Sequence, residues 1–507
     1  MKKLVVLFSI LALAGMIVGS QLLAQDATPK SGGVLKAAYE AEWTGLDPHL
    51  ASTVSSFFVL ANVVEPLTTY DNDMKLAPML ATEWSQSEDG LTWTFTLREG
   101  VKFHNGADMT ADEVVWSMNR IINPDTGSGR VASVGGADAV WEKVDTYTVS
   151  VTTPEPNAIL PQLLAGYPQA VMHPDSVNDE GLIVIPVGTG PFTVQDLEGT
   201  TSLKLVKNPD YWQEGLPYLD EVDVTVISED APREAALLGG EVDWVARLAP
   251  QSVVALEGTQ DLVIDTVPAL HYQYIGLNTE REPLNDVRVR QAIAYAVDRE
   301  QICAAAEFGL CTVIEGPTGP SSPWYNDYAP YSRDVEKAKE LLAEAGYPNG
   351  FEMQLMPTSA FEETVRAAQV VQANLAEAGI QTTILAPEWS EWLELEGGGQ
   401  YDGYICSWNG LTDGDAYYYL QQRTGEVFNF TGYSNPQFDQ LVDDARTVSD
   451  FDTRYQLYDE ANKMLVDDAP YVYFYNQFFN RAYKPYVKGY VLRADNTNLF
   501  TTTWLDQ

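Results

Sequence analysis

Basic residues are scarce in this chain. Against 72 Asp and Glu stand only 30 Lys and Arg, a formal net charge of −42, and a field of that sign repels phosphate backbones and anionic membrane surfaces through most of the approach path. Charge thus excludes nucleic acid as a partner class. The acids are spread along the chain rather than gathered in a tail, so the excess reads as solubility in an exposed compartment. Histidine is scarcer still: His49, His104, His173 and His271 are scattered. None opens an H-E-x-x-H helix or lies near a cysteine pair at zinc spacing, so neither a metal nor a cofactor is expected. Of three cysteines, Cys303 and Cys311 flank Glu307-Phe308-Gly309 and can bridge if the chain turns at the glycine, leaving Cys406 as a buried thiol. Three reduced core cysteines satisfy the same spacing.

Nucleophile elbows and phosphate loops are also missing. There is no G-x-S-x-G and no P-loop, and Val187-Gly188-Thr189-Gly190-Pro191-Phe192 lacks the third glycine of a dinucleotide fingerprint. Pro191 has no N–H to offer a phosphate, so the run is expected to be a turn between lobes or sheets. The one hint of hydrolytic chemistry is the carboxylate pair Asp413 and Asp415, and nearby acids are common by chance in so acidic a chain. Catalysis therefore has no anchor in the sequence, and an enzyme is not expected.

Long apolar runs are confined to the start. Lys2 and Lys3 precede the apolar stretch from Leu4 to Val18, and Gly19 to Gln25 is small and polar, with Ala24 as the expected last residue before cleavage. This is the pattern of a secretory signal peptide over residues 1–24. A run of about 15 apolar residues is short for a membrane span of about 20. No cysteine stands near the cleavage region to accept a lipid, so the mature protein is expected free in the periplasm or outside the cell.

The remaining chain has material for several cores. With 507 residues, 45% hydrophobic and 11% aromatic, it is expected to fold as two or three domains. Leu91, Trp93, Phe95 and Leu97 alternate with polar neighbours, the period of a half-buried strand. Thr110-Ala111-Asp112-Glu113 forms a capping box ahead of a helix over about 111–122. From 280 to 390 the texture changes. Apolar stripes through Val289 to Val297, Val335 to Ala345 and Val365 to Leu375 predict helices, the last two ending at Gly346 and Gly379 before β-rich runs at 351–356 and 380–385. This alternation describes an α/β lobe, with a boundary near 270.

Several motifs are more specific. Leu46-Asp47-Pro48-His49, Val64-Glu65-Pro66-Leu67, the run from Asp89 to Gly106, Gly188-Thr189-Gly190-Pro191-Phe192, Asp286 to Arg299 and Tyr433-Ser434-Asn435-Pro436 stand in the order of one family. The chain resembles solute-binding protein family 5, the extracytoplasmic peptide-, nickel- and oligosaccharide-binding subunits of ABC importers. The resemblance implies an α/β, two-lobed periplasmic-binding-protein clamp whose larger lobe is split in sequence. Lobe I would take 25–270 with a β-rich subdomain at about 78–186, lobe II 271–485, and 486–507 would return to lobe I. Crossing strands are expected around His271 to Asn278 and Arg481 to Tyr490. Closure of the lobes on a ligand would present a surface to a membrane permease.

The same resemblance implies ligand contacts. Glu42, Trp43 and Thr44 would pair with a peptide backbone. In lobe II an acidic residue soon after a tryptophan would neutralise the ligand's α-ammonium; after Trp408, either Asp415 or Asp413 fits. The Arg that usually follows the strand at Phe351 to Met356 is replaced by Pro357-Thr358-Ser359, with none until Arg366, which argues against a fixed nearby carboxylate partner. The expected ligand is an oligopeptide; an oligosaccharide stacked on Trp43, Trp244, Trp389, Trp392, Trp408 and Tyr417 to Tyr419 is the alternative within the family, and a secreted glycoside hydrolase using Asp413 and Asp415 the alternative outside it. The partners are that ligand and an ABC permease, with the binder itself a monomer. N-terminal sequencing of the exported protein should find a start near Gln25, and recovery of intact Met1 in membranes would overturn the signal-peptide reading.

Overall fold

The computed structural model describes residues 28–408, 412–426 and 428–507, and the leader segment 1–24 lies outside the described residues. Two long strands, Val263–Leu277 and Tyr471–Tyr483, run antiparallel between the pairs Val263 with Tyr483 and Gly276 with Tyr471. Both are rich in aromatic and β-branched residues, which suit a pleated and largely buried surface. Their register shifts between Pro268 and Tyr272, where proline cannot donate to the ladder. On one side of the shift Ala482 and Tyr483 pair with Trp244–Val245; on the other, Tyr272 to Leu277 pair with Gly403–Trp408. One strand pair therefore joins both halves in a single continuous sheet.

The segments expected to cross, His271 to Asn278 and Arg481 to Tyr490, overlap the ends of these two strands, and residue 270 lies inside the first. A strand passing between lobes keeps a single backbone direction, so the change in texture builds up within it rather than marking its end.

Beyond the first end, Trp244–Val245 pairs parallel with Val34–Tyr39, which pairs parallel with Glu221–Val226. Beyond the second, Gly403–Trp408 pairs parallel with Glu352–Met356, and that with Gln381–Ile384. Helices Val287–Ala296, Arg299–Glu307, Val335–Glu344 and Glu362–Glu377 pack against this end of the sheet. Asp286 and Asp298 accept from N–H groups of the first turns of the first two. The motif from Asp286 to Arg299 is thus two capped helix starts. Gly276 lies where a Cβ would sit 2.3 Å from the ring of Tyr404, so glycine lets that ring cross the strand.

A separate antiparallel sheet is formed by Ala81–Gln86, Thr92–Leu97, Thr148–Thr152 and Val140–Asp145. Helix Ala111–Ile122 packs on it with Val114, Met118 and Ile121 inward. Its cap forms as read from the sequence: the Thr110 hydroxyl accepts from Asp112 N–H, and the Glu113 carboxylate accepts from Thr110 N–H at 2.9 Å. Cys303 and Cys311 form a disulfide with Cα atoms 6.1 Å apart, while Cys406 is free and buried. Among the described residues no helix is long and apolar enough to cross a membrane.

The family motifs brace one another. The Gly188-Thr189-Gly190 run, expected as a turn between lobes or sheets, packs within lobe I against Val63, whose carbonyl oxygen stands 2.2 Å from where a Gly188 Cβ would be. Glu65 accepts there from the Thr189 hydroxyl at 2.7 Å, the Tyr211 hydroxyl at 2.9 Å and the Trp212 indole at 2.9 Å. Complete burial still pushes its carboxyl up to about 7. Asp47 takes both Arg120 Nη atoms, at 3.1 and 2.6 Å, and Arg120 also meets His49 Nδ1 at 3.0 Å. Since His49 Nε2 faces the Ala170 carbonyl at 3.1 Å, the ring is neutral with its proton on Nε2, and burial lowers its pKa to about 4. Asp47 is buried and the Arg120 side chain is only 11% exposed, so Asp47→Ala strands a largely covered guanidinium and should lower stability by about 3 to 5 kcal/mol. Urea titration checks this; a loss under about 1 kcal/mol would mean that solvent compensates the arginine.

Candidate functional site

Strand direction locates the site. In lobe II the parallel strands end at Met356, Ile384 and Trp408, and Trp408 pairs with Tyr272, beside the register shift where the chain crosses. In lobe I the parallel strands end at Tyr39, Val226 and Val245, and Leu248 N–H reaches Asn480 next to the same crossing. Both lobes direct carboxyl ends of strands at one gap, which is where open α/β sheets hold ligands. The gap is narrow: Ala158 N–H of lobe I donates to the Arg446 carbonyl of lobe II at 3.3 Å. Tyr70 of lobe I stands beside Thr412 and Asp413, its phenol pushed up by burial and by the Asp413 charge.

Residues 42 to 44 follow the carboxyl end of Val34–Tyr39. Trp43 is buried in the lobe I core, while Glu42 and Thr44 are exposed. The Glu42 carboxylate accepts from the Thr200 hydroxyl, its carbonyl accepts from Ser55 Oγ at 2.8 Å, and Thr44 N–H donates to Ser56 Oγ at 3.1 Å. Two backbone groups expected to face a peptide are therefore satisfied inside lobe I.

Trp244 packs in the lobe I core. It is fully buried, edge-on to Tyr490 at 5.4 Å and Phe500 at 5.2 Å, because its short strand lies inside the sheet and the C-terminal segment covers that face. Trp392, Tyr417 and Tyr418 are buried too. Trp408 is half-buried with its ring 5.2 Å from that of Phe428, and its indole N–H has no hydrogen-bond partner. Residues 409–411, which follow it, lie outside the described residues. Arg366 donates to the carbonyls of Ala305 and Ala306 at 3.0 and 2.7 Å.

The two carboxylates separate by their partners. Asp413 receives Arg454 in a bidentate pair, at 2.9 and 2.7 Å, and its Oδ1 also accepts from Asp415 N–H at 2.9 Å. Both members are buried, so this acid holds the loop together. Asp415 begins helix Asp415–Gln422, with a side chain 6% exposed. Arg446 Nε stands 2.9 Å from its Oδ1 without aiming an N–H at it, so the contact is an ion pair and the oxygen lacks a hydrogen-bond donor. Burial pushes the Asp415 carboxyl up to about 7, opposed by Arg446 and aided by the charge of Asp413.

The sequence reading missed both arginines. Arg454 had one signal: it shares a helix face with Tyr458, Ala461 and Leu465, a cation on an apolar stripe. Among the described residues no group of three or more His, Cys, Asp and Glu is placed to hold a metal ion.

The pattern for bacterial extracellular solute-binding proteins, family 5 Middle, matches residues 75–429. The glutathione-binding protein GsiB of Salmonella typhi is 32% identical over 448 residues, 86% of this chain and 87% of that one. GsiB of Escherichia coli K12 is 30% identical over the same shares. Among solved structures, the ABC transporter-associated periplasmic binding protein DppA of Helicobacter pylori, in complex with the peptide STSA, matches with TM-score 0.76 and 29% identity, covering 94% of this chain and 99% of that one. HbpA2 of Haemophilus parasuis matches with TM-score 0.86 and 26% identity, covering 94% and 100%. The two-lobed α/β clamp expected from the motifs is the fold of these proteins.

The raised carboxyl of Asp415 has a consequence for stability. The folded state favours its neutral form, so its contribution is full below the unfolded pKa of 3.8 and is lost as pH rises through about 7. Asp415→Asn keeps the neutral shape. The variant should match the parent near pH 4 and exceed it by about 1 to 3 kcal/mol at pH 8. Denaturant titrations at the two pH values check this, and a variant less stable at pH 8 would mean that the Arg446 pair outweighs the burial.

Proposed function

The chain belongs to the bacterial extracellular solute-binding proteins of family 5, and we propose that its cargo is a short peptide or peptide-like oligomer with a free amine, enclosed between the lobes and delivered to an ABC permease. The observation that carries this is Asp415: a buried carboxylate on the carboxyl-end edge of the lobe II sheet, with an oxygen that no N–H or O–H serves. A buried charge of that kind calls for a cation that also donates hydrogen bonds, and an ammonium is both. Relatives named for glutathione and a neighbour bound to the peptide STSA agree with such a cargo.

Sugar stacking has less support, since Trp244, Trp392, Tyr417 and Tyr418 are built into cores. Hydrolysis has less still. It takes two carboxyl groups free to address one bond, and Asp413 is held by Arg454. The protein is read as a monomeric carrier that releases its ligand unchanged, exported by its leader. Asp415→Asn should weaken a free-amine tripeptide by about 2 to 5 kcal/mol, the range for truncating a buried charge pair, and leave the N-acetylated form nearly unaffected. Calorimetry decides, and equal losses for the two would show that Asp415 does not read the amine.

A further inference from the structure

The crossing strands touch a buried acid that the ligand site does not use. Glu307 ends helix Arg299–Glu307, is 8% exposed, and meets Tyr475, which pairs with Gln273 across the two long strands beside a register shift. The Tyr475 hydroxyl has one hydrogen and lies between two acceptors, Gln273 Oε1 at 2.8 Å and Glu307 Oε1 at 3.2 Å. With that hydrogen on the nearer oxygen, the second contact is a hydrogen bond only when Glu307 itself carries a proton and donates. An ionised Glu307 needs the Tyr475 hydrogen for itself, and the Gln273 amide must then turn over to keep its contact. The three side chains form a relay with two settings, chosen by one proton.

The turn after Glu307 reaches the other lobe. Phe308 and Gly309 take left-handed backbone, with φ of 56° and 83°, inside the loop that the Cys303–Cys311 disulfide closes. Leu310 packs on the lobe I cluster that contains Val245, Leu248 and Ala482, and Cys311–Val313 pairs with the crossing strand at Tyr475 to Gln477. Charges act on the Glu307 carboxyl from both lobes. Burial, aided by Glu363 on helix Glu362–Glu377, pushes it up to about 7, against the Tyr475 contact, Arg366 of the same helix and Arg247 of lobe I. The clamp with Ala158 bonded to Arg446 across the gap thus holds, in mildly acidic solution, a proton that a solvated glutamate near 4.5 has released.

We propose that Glu307 is a proton switch on the hinge: neutral, it ties the turn at 307–311 to the crossing strands and keeps Leu310 seated in lobe I; ionised, it frees the turn and lets the lobes part. The switch acts on the empty clamp and does not depend on what the cargo is. Opening that draws Leu310 away lets water reach the carboxyl, so its contribution to closure is complete below 4.5 and is lost as pH rises through about 7. Small-angle scattering of the ligand-free protein is the test. From pH 8 to pH 5.5 the ratio of closed to open forms should rise about tenfold in the parent, read as a smaller radius of gyration at the acid end. Glu307→Gln, which cannot ionise, should be compact at both. Arg247→Gln removes an exposed cation outside the relay and should move the midpoint to higher pH. A parent radius that is the same at both pH values overturns the inference, as does a pH response that survives undiminished in Glu307→Gln. If that variant does not fold, Arg247→Gln decides alone, and a midpoint that stays or falls overturns the switch.

Discussion

A long antiparallel pairing between Val263–Leu277 and Tyr471–Tyr483 joins the two halves of the molecule, and most of its other features answer to that constraint. It is the middle of one continuous sheet, whose two sets of parallel strands are reached through Trp244–Val245 and through Gly403–Trp408. Since both sets grow from the same spine, the carboxyl ends of both face the crossing, and their loops meet across one gap. The register shift at Pro268 to Tyr272 leaves the ladder weakest where the chain passes between lobes, a natural place for a hinge to absorb rotation.

The second organising feature is the use made of few cations. With 30 basic residues in the chain, several arginines are placed inside it. Arg233 donates to the carbonyls of Ile227, Ser228 and Arg247, Arg290 to those of Leu284 and Asp468, and Arg299 to those of Ala294, Tyr331 and Tyr473. A planar guanidinium with five donors suits carbonyls left over at helix and strand ends, where a lysine would serve fewer. The acidic excess and this allocation belong together: arginines used as struts do not neutralise the surface. Asp47 with Arg120 and Asp413 with Arg454 apply the same device to carboxylates, and the motifs that mark the family are largely the residues that build such struts.

Local signals carried much of the architecture. The helix at 111–122 appears with its expected cap because Thr110 and Glu113 are three residues apart and act on the backbone beside them. The helix–strand alternation after 280 is likewise a matter of period and glycine stops. The site was legible only as a short list of residues. Trp244 and Trp408 look alike in sequence and differ by burial, which the C-terminal segment decides by covering one of them. Asp413 and Asp415 are two residues apart; what separates them is Arg454 and Arg446, on two different later helices.

Composition and period were enough to determine an acidic chain with several cores and an α/β lobe, because each depends on neighbours within a few turns of chain or on the sum over all of it; the two-lobed binder came from the resemblance that motif order carries. Which carboxylate is gripped by a buried arginine, which tryptophan is core and which strands join the two halves were decided by tertiary structure alone. These depend on which distant charge or ring arrives against a side chain, and in a buried site the partner, not the residue type, sets whether a carboxylate is satisfied.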